Sequence, residues 1–177
     1  LVGAMANNFI KFKRNNVGKS LTEDGSDKMI KEIYDEAKKN NCEIITPLDV
    51  AVSESMNGEA KLKDLNKITD NEMILDIGSK TIEKIYNIID ISKTVLWNGP
   101  AGYFENEDFS KGTISIAEKI SNMTKSRSLI SIVGGGDTIS AVKNNHINID
   151  FTHLSTAGGA FLEYIEGKNL PGIEVLK

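Results

Sequence analysis

The sequence predicts an α/β fold: a doubly wound, mainly parallel sheet with helices on both faces, in a Rossmann-like three-layer arrangement. Two observations carry this. Short β-rich runs alternate with helix-period segments along the 177 residues, with short connections between them, which is the pattern of crossover units feeding a parallel sheet. Glycines then gather where the runs end, in "LVGAMAN", "LDIGSKT", "LWNGPAGYFE", "SIVGGGDT" and "LSTAGGAF". In a parallel sheet all five junctions fall on one edge, beyond the carboxyl ends of the strands, where such sheets bind ligands. The length and the 40% hydrophobic content suit a single domain.

The elements follow in order. The opening "LVGAMANNFIKF" reads as the end of a strand turning into a helix, and it lacks an initiator Met; a chain cut inside a larger fold is the expectation. Met29, Ile30, Ile33, Tyr34 and Ala37 recur at helical spacing, with Ser26 placed as N-cap and Lys38 and Lys39 in the last turn, which predicts a helix over 27–39. Strands are predicted at 43–46 and 50–52 and at "MILDIG". The segment 57–72, rich in Asn and Lys, reads as a surface excursion. Ser79 is placed to cap a helix whose Ile82, Ile85, Tyr86 and Ile89 form one stripe, and "TVLW" is the next strand. A helix from Phe109 to Met123 leads to the strand "LISIV". After it come a helix over 138–144, a short strand in "DFTHLS" and a last helix through "AFLEYIEG". No internal repeat is present.

Several function classes find no support. The net charge is −4, from 25 acidic and 21 basic residues, with no basic stripe for a nucleic-acid backbone. Cys42 is the single cysteine. There is no signal-peptide layout and no apolar run of membrane-spanning length, so the expectation is a cytoplasmic protein that binds neither nucleic acid nor membrane. Gly18-Lys19-Ser20 imitates the end of a P-loop, but Lys13 stands where that motif needs its first glycine. His146 and His153 lie in no ligand cluster and read as bystanders. No Ser/His/Asp arrangement is suggested, and the early glycine turn followed by an acidic residue that marks an NAD-dependent dehydrogenase is missing.

What remains is an edge of glycines and two acids. Glycine lets a ligand approach the backbone without a Cβ in the way, and each following helix offers unpaired N–H groups and a positive dipole end to an anion. Five such junctions favour an extended phosphate-bearing ligand. Asp137 at the mouth of "GGGDT" has two readings: a helix N-cap, or a ligand for a Mg²⁺ ion that bridges the carboxylate and the phosphates. An unscreened carboxylate beside a phosphate would repel it, which favours the metal. Glu105, closing "WNGPAGYFE", suits ribose hydroxyls, against the reading of a solvated loop glutamate.

In this order and at these separations, "GAMAN" with Phe9, "GKSL", "DIGSKT", "WNGPAGYFE", "GGGDT" and "STAGGAFLEYIEGKNLPGIEVL" resemble the C-terminal half of the phosphoglycerate kinase family over essentially the whole chain. The resemblance implies one nucleotide-binding domain over 1–177, belonging to a hinge-bending glycolytic enzyme. That enzyme transfers a phosphoryl group between 1,3-bisphosphoglycerate and MgADP, giving 3-phosphoglycerate and MgATP, and is a monomer at full length. An N-terminal domain that binds the acidic substrate would precede residue 1, so the fragment alone is expected to be inactive. Carried over by motif, Gly3 and Gly78 border the adenine, and Asn98, Pro100, Gly102 and Tyr103 line its other side and the phosphate path. Glu105 holds the ribose; Gly134, Gly135, Gly136 and Thr138 face the phosphates; Asp137 binds Mg²⁺. Gly158 and Gly159 take the catalytic role of pointing N–H groups at the phosphoryl group in flight. Ala157 departs from a family glycine, Tyr103 from a small aliphatic residue, and Val2 from a glycine. The alternative implied by the same motifs is a stand-alone nucleotide-binding or regulatory module without catalysis.

Overall fold

The computed structural model describes residues 1–144 and 149–176; the expectation for His146 lies outside them. Two three-stranded sheets form the framework. In the first, β1 (Asp49–Ser53) is flanked by β2 (Lys61–Asp64) and β3 (Met73–Ile77), both antiparallel to it. In the second, β4 (Thr94–Asn98), β5 (Ile130–Gly134) and β6 (His153–Leu154) run parallel. The helices are α1 (Gly3–Phe12), α2 (Asp27–Lys39), α3 (Ser79–Ile91), α4 (Lys111–Lys125), α5 (Gly136–Asn144), α6 (Gly159–Ile165) and α7 (Pro171–Glu174). The parallel sheet flanked by helices makes this a Rossmann-like α/β domain. The antiparallel sheet beside it means that the five glycine junctions do not all end parallel strands, since Gly78 closes β3.

Apolar periodicity accounts for the helices. In α3 and α4, Ile82, Ile89, Ile116, Ala117 and Ile120 meet Trp97, Leu129 and Val133 of the parallel sheet in one buried cluster. Helix α1 buries Ala6, Phe9 and Ile10. Helix α2 keeps its expected bounds and Ser26 stands at its N-cap position, its O accepting Ile30 N at 2.9 Å, but its hydroxyl caps no helix N–H and donates instead to Glu23 O at 3.1 Å. Ser79 is the first helical residue of α3 rather than its cap. The cap comes from β1, where the Asp49 carboxylate accepts Lys80 N at 3.0 Å and Thr81 N at 2.8 Å. A buried carboxylate thereby satisfies orphan donors of the helix and faces its positive end.

Two other expectations are corrected. No strand forms at 43–46, because a β-rich run becomes a strand only where a neighbour supplies a ladder of hydrogen bonds. Instead Ile44 and Ile45 line a cleft with α1 and α2. The excursion 57–72 contains β2, which adds an edge to the first sheet and is followed by a 3₁₀ turn at Leu65–Lys67. The lysines that give the segment the composition of a loop, Lys61 and Lys63, stand on this strand and protect an exposed sheet edge. Helix α7 begins at Pro171, in the first helical position where proline's missing N–H costs nothing.

Candidate functional site

The parallel sheet levels two of the glycine junctions. Asn98 at the end of β4 pairs in register with Gly134 at the end of β5. Beyond them Gly99 N donates to Thr138 Oγ1 at 2.7 Å, Trp97 Nε1 donates to Gly99 O at 2.8 Å, and Ala101 N donates to Thr113 Oγ1 at 2.9 Å. Gly3 N donates to Ala101 O at 3.1 Å, bringing the start of α1 against the 98–102 turn. Ser155 N donates to Val133 O at 2.8 Å, which brings the 155–159 turn alongside β5. A Cβ at Gly134 would lie 2.8 Å from the Phe161 ring, so α6 packs directly on the "GGG" turn. Gly3, Asn98, Pro100, Gly134, Gly135, Gly136, Asp137, Thr138, Gly158 and Gly159 are thus placed along one edge.

The glycines there are not alike. Gly135 has φ +88, and a Cβ on it would meet Asn98 Oδ1 at 2.9 Å. Gly158 has φ +58 as the residue before α6. Gly136 and Gly159 have no positive φ, and a Cβ on either would meet no atom within 4 Å. Neither backbone conformation nor packing requires glycine at these two positions.

Asp137 is exposed in the first turn of α5. The first bond of that helix runs from Ile139 N to Gly135 O at 3.1 Å. Gly135 is therefore the capping residue and Asp137 lies inside the helix, which overturns the N-cap reading. Its carboxylate takes part in no hydrogen bond or ion pair among the described residues. No group of three possible metal ligands forms among the described residues either, so a cation here would take its other oxygens from a ligand. Thr138 is fully buried, and its Oγ1 is committed to Gly99 N.

Glu105 is exposed, in a tight turn closed by Asn106 N donating to Tyr103 O at 3.2 Å. Tyr103 packs its ring partly buried beside Phe109, and its N–H donates to Leu75 O at 2.7 Å. The loop from Gly102 to Phe109 thus hangs on the first sheet, not the second. Gly78 belongs to that sheet too, and its Cα faces the Asp49 carboxylate, so packing already requires glycine there. Gly102 abuts Phe109 O and the Asp76 carboxylate. Sequence reasoning missed Asp76 and Asp49. The available signal was an aspartate inside an apolar run, "MILDIG" and "PLDVAV", since a carboxylate is rarely buried without a specific partner.

The departures are accommodated. Ala157 is exposed and has no positive φ, so its Cβ brings no backbone strain. Val2 packs against the main core cluster. A cleft of about 690 Å³ opens elsewhere, between α1, α2 and the 43–45 segment. It is lined by apolar side chains such as Leu1, Met5, Phe9 and Met29 and by none of the candidate site residues.

Comparison with known proteins agrees with this geometry. The family model for phosphoglycerate kinase matches residues 1–168. The chain is 43% identical over 179 residues to the phosphoglycerate kinase of a Wolbachia strain of Drosophila simulans, covering 100% of this chain and 45% of that protein. It is 44% identical over 179 residues to that of Orientia tsutsugamushi strain Boryong, covering 99% of this chain and 44% of the relative. The structure of phosphoglycerate kinase from Coxiella burnetii superposes with a TM-score of 0.91 at 36% identity, covering 99% of this chain and 45% of that one. The Pyrococcus horikoshii enzyme gives 0.73 at 30% identity, with 99% and 44% covered. The chain therefore spans less than half the length of these relatives. Its motifs, the geometry of its glycine edge and these matches together place the chain in the phosphoglycerate kinase family.

Proposed function

We propose that this chain supplies the nucleotide half of a glycolytic phosphoglycerate kinase, which moves a phosphoryl group between 1,3-bisphosphoglycerate and MgADP to give 3-phosphoglycerate and MgATP. One observation carries the reading. Gly136 and Gly159, glycines that neither φ nor packing demands, have nothing against their Cβ positions, and beside Gly136 stands the exposed Asp137 carboxylate with no partner among the described residues. A phosphate chain lying against the backbone uses the first feature, and its cation uses the second.

In this reading Gly3 and Gly78 border the adenine, while Asn98, Pro100, Gly102 and Tyr103 form the opposite wall and the phosphate path. The Glu105 carboxylate accepts hydrogen bonds from the ribose. Gly134, Gly135 and Gly136 offer backbone to the phosphates, and Thr138 holds the Gly99 turn that faces them. Asp137 is the protein ligand of Mg²⁺, which when bound neutralises charge on the phosphate oxygens. Gly158 and Gly159 direct N–H groups at the transferring group. Such a transfer depends on alignment and charge stabilisation, so no protein nucleophile is needed. The acidic substrate's site belongs to the part of the relatives' length outside this chain.

The test is titration of the parent and Asp137→Asn with ADP and AMP, with and without Mg²⁺. The parent binds ADP more tightly with Mg²⁺, and Asp137→Asn loses most of that difference. AMP is nearly indifferent to the substitution. Because Asp137 does not cap α5, Asn costs the fold only the carboxylate's interaction with the helix dipole, about 0.3–1 kcal/mol, and thermal melts verify this. An unchanged Mg²⁺ dependence in the variant removes Asp137 from the metal site.

A further inference from the structure

Asp76 is 2% exposed, in the last turn of β3 before Gly78. Its two oxygens accept from different elements: Oδ1 from Ile77 N at 2.8 Å on its own strand, and Oδ2 from Gly112 N at 2.7 Å in the first turn of α4. Gly102 and Gly112 both present bare Cα atoms to this carboxylate, and a Cβ on either would collide with it. The same Cβ on Gly102 would also meet Phe109 O. The carboxylate therefore sits at the neck of the loop from Gly102 to Phe109, where its two ends come together and α4 begins. Further out the loop is held by Tyr103 N to Leu75 O at 2.7 Å and by Asn106 Nδ2 to Met56 O at 2.8 Å. Burial pushes the Asp76 carboxyl up to about 7, against the pull of the two N–H groups and of the Lys111 charge, so the group is kept in place at a cost in stability.

We infer that Asp76 is a positioning residue for the nucleotide, setting the place of the Glu105 loop by gripping the first turn of α4 and filling the space beneath Gly102. It touches no nucleotide and acts through the loop. The inference rests on the ribose reading of Glu105. It goes beyond that reading in assigning the loop's position to a buried carboxylate on the neighbouring sheet.

The experiment is a double-mutant cycle on ADP affinity, using the parent, Asp76→Asn, Glu105→Ala and the double variant, below the melting temperature of each. Asn keeps one acceptor but turns an amide N–H₂ toward one of the two donors. Asp76→Asn is expected to weaken ADP binding roughly 3- to 10-fold in the parent background, and by less than about twofold once Glu105 is Ala. A residue needed only for stability gives equal losses in both backgrounds, and that result, or no loss at all, overturns the inference. Amide hydrogen exchange on the parent protects the test against a variant that does not fold. The amides of Gly112, Tyr103 and Phe109 are expected to open together, with protection equal within about threefold, as one cooperative unit. Tyr103 and Phe109 exchanging about 100-fold faster than Gly112 overturns the inference. If Glu105→Ala binds ADP like the parent, the ribose reading fails by itself, and the exchange result alone decides on Asp76.

Discussion

Gly136→Ala separates binding from stability more cleanly than a change at Gly134 or Gly135 of the same turn. Gly136 is the first residue of α5, its φ is not positive, and a Cβ there meets no atom within 4 Å. The fold therefore has no reason to resist a methyl group. Alanine is the better helix former by up to about 1 kcal/mol in a helix interior and less at a first turn. Stability should stay level or rise by up to about 0.5 kcal/mol. If phosphates lie against this backbone, the same methyl stands between ligand and N–H, and overpacking of that kind costs about 1–3 kcal/mol. ADP affinity should then fall by about 5- to 150-fold, at about 1.4 kcal/mol per factor of ten. The assay is calorimetric titration with MgADP beside a thermal melt. Gly135→Ala is the contrast, because φ +88 and Asn98 Oδ1 at 2.9 Å make it lose stability as well. A Gly136→Ala protein that melts like the parent and binds ADP like the parent would refute the phosphate assignment of this turn.

Four further outcomes are expected. Glu105→Ala weakens ADP and AMP alike by roughly 1–3 kcal/mol, the range for a lost charge-assisted hydrogen bond; a loss confined to ADP argues against a ribose contact. The purified chain alone does not turn over 1,3-bisphosphoglycerate, since in-line transfer needs both substrates held together; clear turnover with contaminating enzyme excluded places the acidic-substrate site within these residues. Asp76 binds its proton more tightly in the folded chain, about 7 against an ordinary 3.8, so its contribution is greatest below pH 4 and is lost as pH rises toward 7, by on the order of 4 kcal/mol at most. Denaturant titrations across that window should show the decline, and Asp76→Asn should flatten it. Glu72 acts in the opposite sense and lower down. Lys63 and the Thr69 N–H hold it at about 2, so its contribution is present above pH 4.5 and lost as pH falls toward 2.

Where a pattern was local, it could be read from the sequence. The stripes of α2 and α3 and the runs of β4 and β5 are set by side chains a few residues apart, and the structure keeps them within a residue or two. Where the deciding partner was distant, the reading failed. Ile44 and Ile45 have the composition of a strand but no ladder to join. Lys61–Asp64 has the composition of a loop but finds β1 beside it. Ser26 and Ser79 look like caps, yet the carboxylate that caps α3 comes from Asp49, some thirty residues earlier in the chain. Local spacing carries no information about that partner.

The candidate site was legible for a different reason, and its limits follow from what a glycine can mean. Gly135 is glycine because its backbone is left-handed, Gly78 and Gly102 because carboxylates of neighbouring strands fill the space, and Gly136 and Gly159 for neither reason. In one sequence these three classes look the same. Read from the sequence, all of them face a ligand, although Gly78 and Gly102 are already required by Asp49 and Asp76. Only placement in three dimensions separates a glycine that admits a phosphate from one that admits an aspartate. The two carboxylates, in turn, tie the first sheet to helices that pack on the second, beside the apolar contact of Ile77 with the same core. Asp49 holds the start of α3, Asp76 holds the start of α4, and both helices pack on the parallel sheet whose ends carry the glycine edge. A nucleotide spanning Glu105 and Asp137 would touch loops that belong to different sheets, so its affinity depends on the rigidity of that joint as much as on the residues it contacts.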